Sequence, residues 1–241
     1  MKVIITSGGT SEYIDSVRKI TNSSSGKLGS MIANKFLESD KIDKLFYVCH
    51  KGAYLPNENQ KLETIYIKSV ENLQKTLKNL IKSQKIDAII HSMAVSDYTV
   101  GYVTTSEKMA SKLANKSAEQ IKNILGQNDV AINSDNKISS NLDDMFIKLV
   151  PTPKVISHIK QWDRDIFLVG FKLLSNVSKA TLLNVAKNLM QKNNCDAVVA
   201  NDLKDITAEQ HKAYIITNKE IINAQTKIEI AEKLSHLIES I

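Results

Sequence analysis

Short runs rich in β-branched residues alternate with longer segments of helical period along this 241-residue chain, and that alternation restricts the fold more than any other feature. A strand buried on both faces reads as a brief continuous apolar run. The crossover to the next parallel strand is usually a helix. Such runs fall at 3–6, 45–49, 64–67, 88–92, 146–149, 167–171, 197–200 and 213–217. Between them, segments 29–37, 70–83, 118–125, 154–161, 179–192 and 227–238 place Leu, Ile, Val or Met three and four residues apart, as a helix with one buried face requires.

Stacked βαβ units of this kind predict an α/β protein, a Rossmann-like three-layer sandwich with a mostly parallel central sheet. The length suits one large domain or two small ones, and three prolines with no Gly/Ser-rich tract leave no evident linker. A single domain over 1–241 is therefore expected. Residues 101–136 are polar and weakly helical, an excursion suited to a lid or a contact between subunits.

Lys plus Arg is 32 against 26 Asp plus Glu, a net charge of +6, but the lysines are scattered and aromatics are only 5%. Nucleic-acid recognition calls for a concentrated basic face interleaved with aromatics, so that class is not expected. Cys49 and Cys195 lie far apart and form no CxxC pair, which reads as two buried thiols. The N-terminal apolar run is too short for a secretory core, and no stretch reaches the length of a membrane span. A cytoplasmic protein is expected.

Ligands of open parallel sheets bind where loops leave the carboxyl ends of strands. Segments 6–26, 92–98, 171–176 and 200–203 each follow a run directly. The richest is Thr6-Ser7-Gly8-Gly9-Thr10, followed by Asn22-Ser23-Ser24-Ser25-Gly26-Lys27-Leu28-Gly29. Glycines admit an anion to backbone N–H groups, hydroxyls add donors, and a helix N-terminus contributes its dipole. Gly8, Gly9, Thr10, Ser24, Ser25 and Gly26 thus compose a candidate phosphate cradle. Helix capping by a serine and a tight turn at Gly8-Gly9 account for the same residues equally well. Walker A fails because Leu28 stands where a Ser or Thr would hold Mg2+. The dinucleotide fingerprint fails on its spacing and on the absence of an acid after Cys49-His50.

Asp97, in the small-residue turn after 88–92, is a candidate Mg2+ or ribose contact, or the closing residue of an Asx-turn. Lys137 is a candidate point cation for a triphosphate, or a solvated surface lysine. Phe171 suits stacking on a nucleobase or a place in the core, and Lys172 suits a phosphate. Asn201 and Asp202 offer an amide and a carboxylate to the same rim, or form a turn.

Together these segments resemble the phosphopantothenoylcysteine synthetase family, the ligases of coenzyme A biosynthesis. Ser7-Gly8-Gly9-Thr10, Glu12, Ile14-Asp15, Val17-Arg18, Ile20-Thr21-Asn22, Ser24-Ser25-Gly26 and Gly29 are similar to the family's opening motif. Ala94-Val95, Asp97-Tyr98, Lys137-Ile138, Gly170-Phe171 and Ala200-Asn201-Asp202 follow in the family's order. The resemblance implies activation of phosphopantothenate by CTP, with ATP as the alternative nucleotide, and Mg2+. It implies attack by cysteine on the acyl-nucleotidylate, pyrophosphate leaving first and CMP second, in a homodimer. It gives Asn22 the acyl intermediate and Lys137 the activation step. Ala94 would contact the pantothenate carboxylate through its backbone, Ser24, Ser25 and Gly26 the phosphates, Asp97 the ribose or Mg2+, and Phe171 the base. Ser139-Ser140 depart from the two further lysines of fused bacterial members, and Leu173-Leu174-Ser175 lack the acid often found after the Gly-Phe pair. The alternatives are an NAD(P)- or flavin-dependent oxidoreductase on a similar fold and a nucleotide-binding regulator without catalysis.

Overall fold

A computed structural model describes residues 1–207 and 209–241. The chain divides into two compact units: Met1–Thr10, Ser23–Val95 and Lys154–Ile241 form the first, Ser11–Asn22 and Ser96–Pro153 the second. The excursion expected over 101–136 therefore lies inside a larger unit, which the chain enters twice.

In chain order the elements are β1 (Lys2–Ser7), β2 (Ser11–Tyr13), β3 (Lys19–Thr21), α1 (Lys27–Leu37), β4 (Lys44–His50), β5 (Leu62–Ile67), α2 (Val70–Ser83), β6 (Ala88–His91) and β7 (Tyr98–Thr104). Then come α3 (Ser106–Leu113), α4 (Ala118–Gly126), β8 (Phe146–Pro151), α5 (Val155–Trp162), β9 (Phe167–Leu174), α6 (Lys179–Asn193), β10 (Ala197–Ile206), β11 (His211–Thr217), β12 (Ile221–Ala224) and α7 (Lys227–Glu239).

The first unit is built on an eight-stranded sheet of order β12-β11-β10-β9-β6-β1-β4-β5. Six strands from β5 to β10 run parallel, and β11 and β12 add an antiparallel edge. Side-chain parity divides its core. Val3 and Ile5 of β1 pack with Ile32 and Phe36 of α1 and with Ile230 and Leu234 of α7. Ile4 packs on the other face with Leu73 and Leu77 of α2, Ile159 of α5 and Ala186 of α6. Ile4, Ile5, Ile89 and Ile90 are fully buried, each side chain contributing roughly 1.5–3 kcal/mol by leaving water. Helices cover both faces of this sheet, so the three-layer α/β expectation holds. The parallel order reverses between β1 and β6, which makes their carboxyl ends a topological switch point.

The second unit holds two small antiparallel sheets, β2 with β3 and β7 with β8. The run at 146–149 was expected among the strands of the alternating pattern. It instead belongs to β8, paired with β7, because an apolar run records that a strand forms and not which strand it pairs with. Helices α3 and α4 bury no residue. They stand on capping instead: the Thr105 hydroxyl accepts from the Lys108 N–H, and Ser117 with Gln120 completes a reciprocal capping box.

Candidate active site at the strand carboxyl ends

At the switch point the backbone leaves β1 through Gly8, whose φ of 80° favours glycine. Helix α1 is preceded by Gly26, a left-handed N-cap residue with φ 77° and no side chain to cap it, and the first N–H of the helix, on Lys27, donates to Ser25 Oγ at 3.3 Å. A Cβ on Gly26 would stand 2.9 Å from Ser7 Oγ and 3.2 Å from the Gly8 nitrogen. One on Gly29 would stand 2.2 Å from Ser7 Oγ. The glycines thus let α1 approach β1 closely. Ser7 Oγ donates to the Gly26 carbonyl at 3.1 Å, and Ser92 Oγ donates to the Thr6 carbonyl at 2.6 Å.

Gly9 pairs with Ala94 in a parallel bridge. The Ala94 N–H donates to the Gly8 carbonyl at 2.8 Å, and its carbonyl accepts from the Thr10 N–H at 3.2 Å. Both backbone groups expected to meet a pantothenate carboxylate are therefore engaged in extending the β1–β6 ladder. Beneath this loop His91, which is buried, places Nδ1 2.9 Å from Thr6 Oγ1, and burial lowers its pKa to about 4. It supports the turn as a neutral imidazole. Ser24 is half-buried and Ser25 exposed.

Phe171 was expected at a strand end and Lys172, Asn201 and Asp202 in the loops that follow, but β9 and β10 run past the end of β6, and all four lie in strand. Phe171 is half-buried and packs against the α1/α7 core. Asn201 and Asp202 alternate to opposite faces and do not serve one crevice. The Asn201 amide nitrogen lies 3.2 Å from His211 Nε2, with both residues buried. Asp202 accepts from the backbone N–H groups of Asn176 and Val177, each at 2.8 Å, and of Lys204 at 3.1 Å. Its carboxylate shapes the turn into α6 from within β10, whereas the turn reading of the sequence has Asn201 and Asp202 forming a turn of their own. Cys49 and Cys195 are buried, and burial pushes their thiols up to about 11 and about 12, away from nucleophilic chemistry.

In the second unit Asn22 follows β3 and is exposed, as are Lys137 and Asp97. The Asp97 carbonyl accepts from the Thr152 N–H at 3.0 Å. Glu12 accepts from Thr99 Oγ1 at 2.7 Å, tying the β2–β3 hairpin to β7. Asp15 and Arg18, quoted in the opening motif without a role, are hydrogen-bonded to each other and to the backbone of Ile138. Among the described residues no three His, Cys, Asp or Glu side chains group as a metal site. A Mg2+ brought by a nucleotide fits such a surface, since that ion is commonly held by phosphates, waters and one or two carboxylates. No helix among the described residues is long and apolar enough to cross a membrane.

A six-strand parallel order reversing at a glycine-built turn defines a doubly wound α/β protein with its ligand loops at the switch point. The chain belongs to the family described as DNA/pantothenate metabolism flavoprotein C-terminal domain, whose model matches residues 1–129 and 126–241. It is 30% identical over 99% of its length to the coenzyme A biosynthesis bifunctional protein CoaBC of Thermococcus kodakarensis, covering 51% of that protein. The chain spans about half the length of the curated relatives it matches. The crystal structure of a DNA/pantothenate metabolism flavoprotein from Streptococcus pneumoniae is 36% identical, covers 100% of this chain and 99% of its own, and superposes with a TM-score of 0.85. Cab2 H337A in complex with phosphopantothenate-cysteine shares the fold, at 18% identity over 99% of this chain and 86% of its own, with a TM-score of 0.69.

Proposed function

We propose that this chain joins 4′-phosphopantothenate to L-cysteine by way of an acyl-nucleotidylate made from CTP. A carboxylate oxygen of phosphopantothenate attacks the α-phosphorus and pyrophosphate leaves. The cysteine amine then attacks the acyl carbon, the bond from that carbon to the bridging oxygen breaks, CMP leaves with the oxygen and its electron pair, and the nitrogen loses a proton. The route follows from electronics: a carboxylate is a poor electrophile, and its mixed anhydride with phosphate is a good one.

The observation that carries this reading is the switch-point turn, where Gly8, Gly26 and Gly29 let backbone come close and the first turn of α1 lacks a side-chain cap at Gly26. Such a turn suits phosphate. Family membership over the whole chain supports the substrate class, and a protein of the same fold has been seen with phosphopantothenate-cysteine. In this proposal Gly8, Gly9, Thr10, Ser24, Ser25 and Gly26 receive phosphate and Phe171 lies by the base. Lys137 neutralises charge developing in the first step, and Asn22 orients the acyl group in the second. Mg2+ would supply further charge neutralisation on the phosphates, with Asp97 as its protein contact. A cytoplasmic homodimer, with residues 101–136 as lid or subunit contact, completes the proposal.

The test is an omission series with protein, Mg2+, CTP, phosphopantothenate and cysteine. Pyrophosphate should appear only with phosphopantothenate present, and CMP only once cysteine is added. ATP in place of CTP should give slower turnover. Pyrophosphate release without phosphopantothenate, or none in the complete mixture, overturns the reading.

A further inference from the structure

Lys137 sits on a stretch, 131–145, that contains no helix or strand and in which Ile138 alone is buried, at 5% exposure. Ile138 is held by its backbone. Its N–H donates to Asp15 Oδ2 at 3.1 Å, and its carbonyl accepts from Arg18 Nη2 at 2.5 Å. Asp15 lies in the turn between β2 and β3, which the Ile14 N–H closes by donating to the Arg18 carbonyl at 2.9 Å. The side chain of Asp15 is fully covered. Its Oδ1 accepts from the N–H groups of Val17 at 2.8 Å and Arg18 at 2.7 Å, while Oδ2 also accepts from Arg18 Nε at 2.9 Å. One carboxylate thus receives four donors, three from its own turn and one from a segment more than a hundred residues away. Only an ionised acid fits this pattern, because an amide would turn a donor toward donors.

We infer that Asp15 and Arg18 are positioning residues, a latch that grips both backbone groups of Ile138 and thereby fixes the neighbouring Lys137. The same carboxylate shapes the hairpin that ends at Asn22, so the residues proposed for the two half-reactions are registered to a single side chain. Placing Lys137 in the first half-reaction rests on the proposed function; the latch itself is geometric. Depression of the Asp15 pKa to about 2, with the Arg18 N–H as the largest cause, accords with a carboxylate held ionised by its donors.

Asp15→Asn tests both halves of the inference. Hydrogen exchange should show the Ile138 amide opening about tenfold faster or more, the equivalent of losing one charge-assisted hydrogen bond, with amides of β1 unchanged. Single-turnover pyrophosphate release should fall by about ten- to a hundredfold, with CTP affinity within about threefold, because displacement of a catalytic group costs rate rather than binding. Arg18→Lys, which leaves the Asp15 turn in place and removes the Ile138 contact, should give the same pattern at smaller amplitude. It keeps the test valid if Asp15→Asn unfolds the unit. Combining Asp15→Asn with Lys137→Ala should be no slower than Lys137→Ala alone. Unchanged Ile138 exchange in both variants overturns the latch. Faster exchange with an unaltered first half-reaction, while Lys137→Ala abolishes that step, overturns its positioning role. If Lys137→Ala alone releases pyrophosphate at the parent rate, the catalytic reading of Lys137 fails, and the exchange result still decides the latch.

Discussion

The switch-point turn and the Lys137 segment are held in opposite ways. The turn is fixed by steric closeness: glycines admit a helix against a buried strand, and β1 is covered on both faces. The Lys137 segment is fixed by two polar bonds to the backbone of Ile138, one from Asp15 and one from Arg18, and by the burial of that single isoleucine. A phosphate site gains from being rigid before the ligand arrives. A cation that acts on developing charge must also be in place beforehand, but a hold made of a few polar contacts opens more readily than one made of close packing.

The largest expected effect would sharpen that contrast. Lys137→Gln should slow pyrophosphate release by about a thousandfold and leave CTP binding near the parent value, read by single-turnover kinetics beside calorimetry. A normal burst would remove Lys137 from the chemistry.

Acid should weaken the two regions in separate windows. His91 has its pKa lowered by burial from 6.5 to about 4, so the unfolded chain binds the proton first, and stability present above pH 6.5 is lost as pH falls toward 4. That loss is up to about 3 kcal/mol. His211, lowered to about 4 by burial and then by Lys227, adds to the same window. The depressed Asp15 contributes stability that is present above its ordinary 3.8 and is lost only as pH falls toward 2. Urea unfolding across pH 7.5 to 4 should show the decline, and His91→Asn should flatten it. An equal slope in His91→Asn would break the assignment.

Next in size, Gly29→Ala should cost about 2 kcal/mol by overpacking Ser7 and weaken CTP binding by at least tenfold. Parent affinity would mean the turn has more slack than the 2.2 Å approach allows. Ser117→Ala in the exposed capping box of α4 should cost about 1 kcal/mol and leave the binding of CTP untouched. A change in CTP affinity there would show that the two regions are not held independently.

The sequence is most readable where burial is complete. Runs such as Val3 to Thr6 and Ala88 to His91 are covered on both faces, and their β-branched composition follows from that. The hairpin β2–β3 escapes notice because three-residue strands carry no period, and β7 because Gly101 interrupts it beside a polar stretch. Helix α3 buries nothing, so no apolar stripe announces it. The glycines of the cradle are legible from their spacing before an apolar helix. Asp202 is misplaced because the parity that turns it away from Asn201 appears only when β10 is known to extend past Ala200. Asp15 is legible as a motif member but not as a latch, since its distant partner is a backbone N–H, which every residue but proline carries.

The central claim is that a phosphopantothenate oxygen becomes bonded to the α-phosphorus of CTP. Phosphopantothenate labelled with 18O in its carboxylate tests it directly. Mass spectrometry of the CMP released on adding cysteine should find one 18O per CMP formed from fully labelled substrate. Unlabelled CMP beside labelled pyrophosphate, or product formed with no transfer of label to phosphorus, would contradict it.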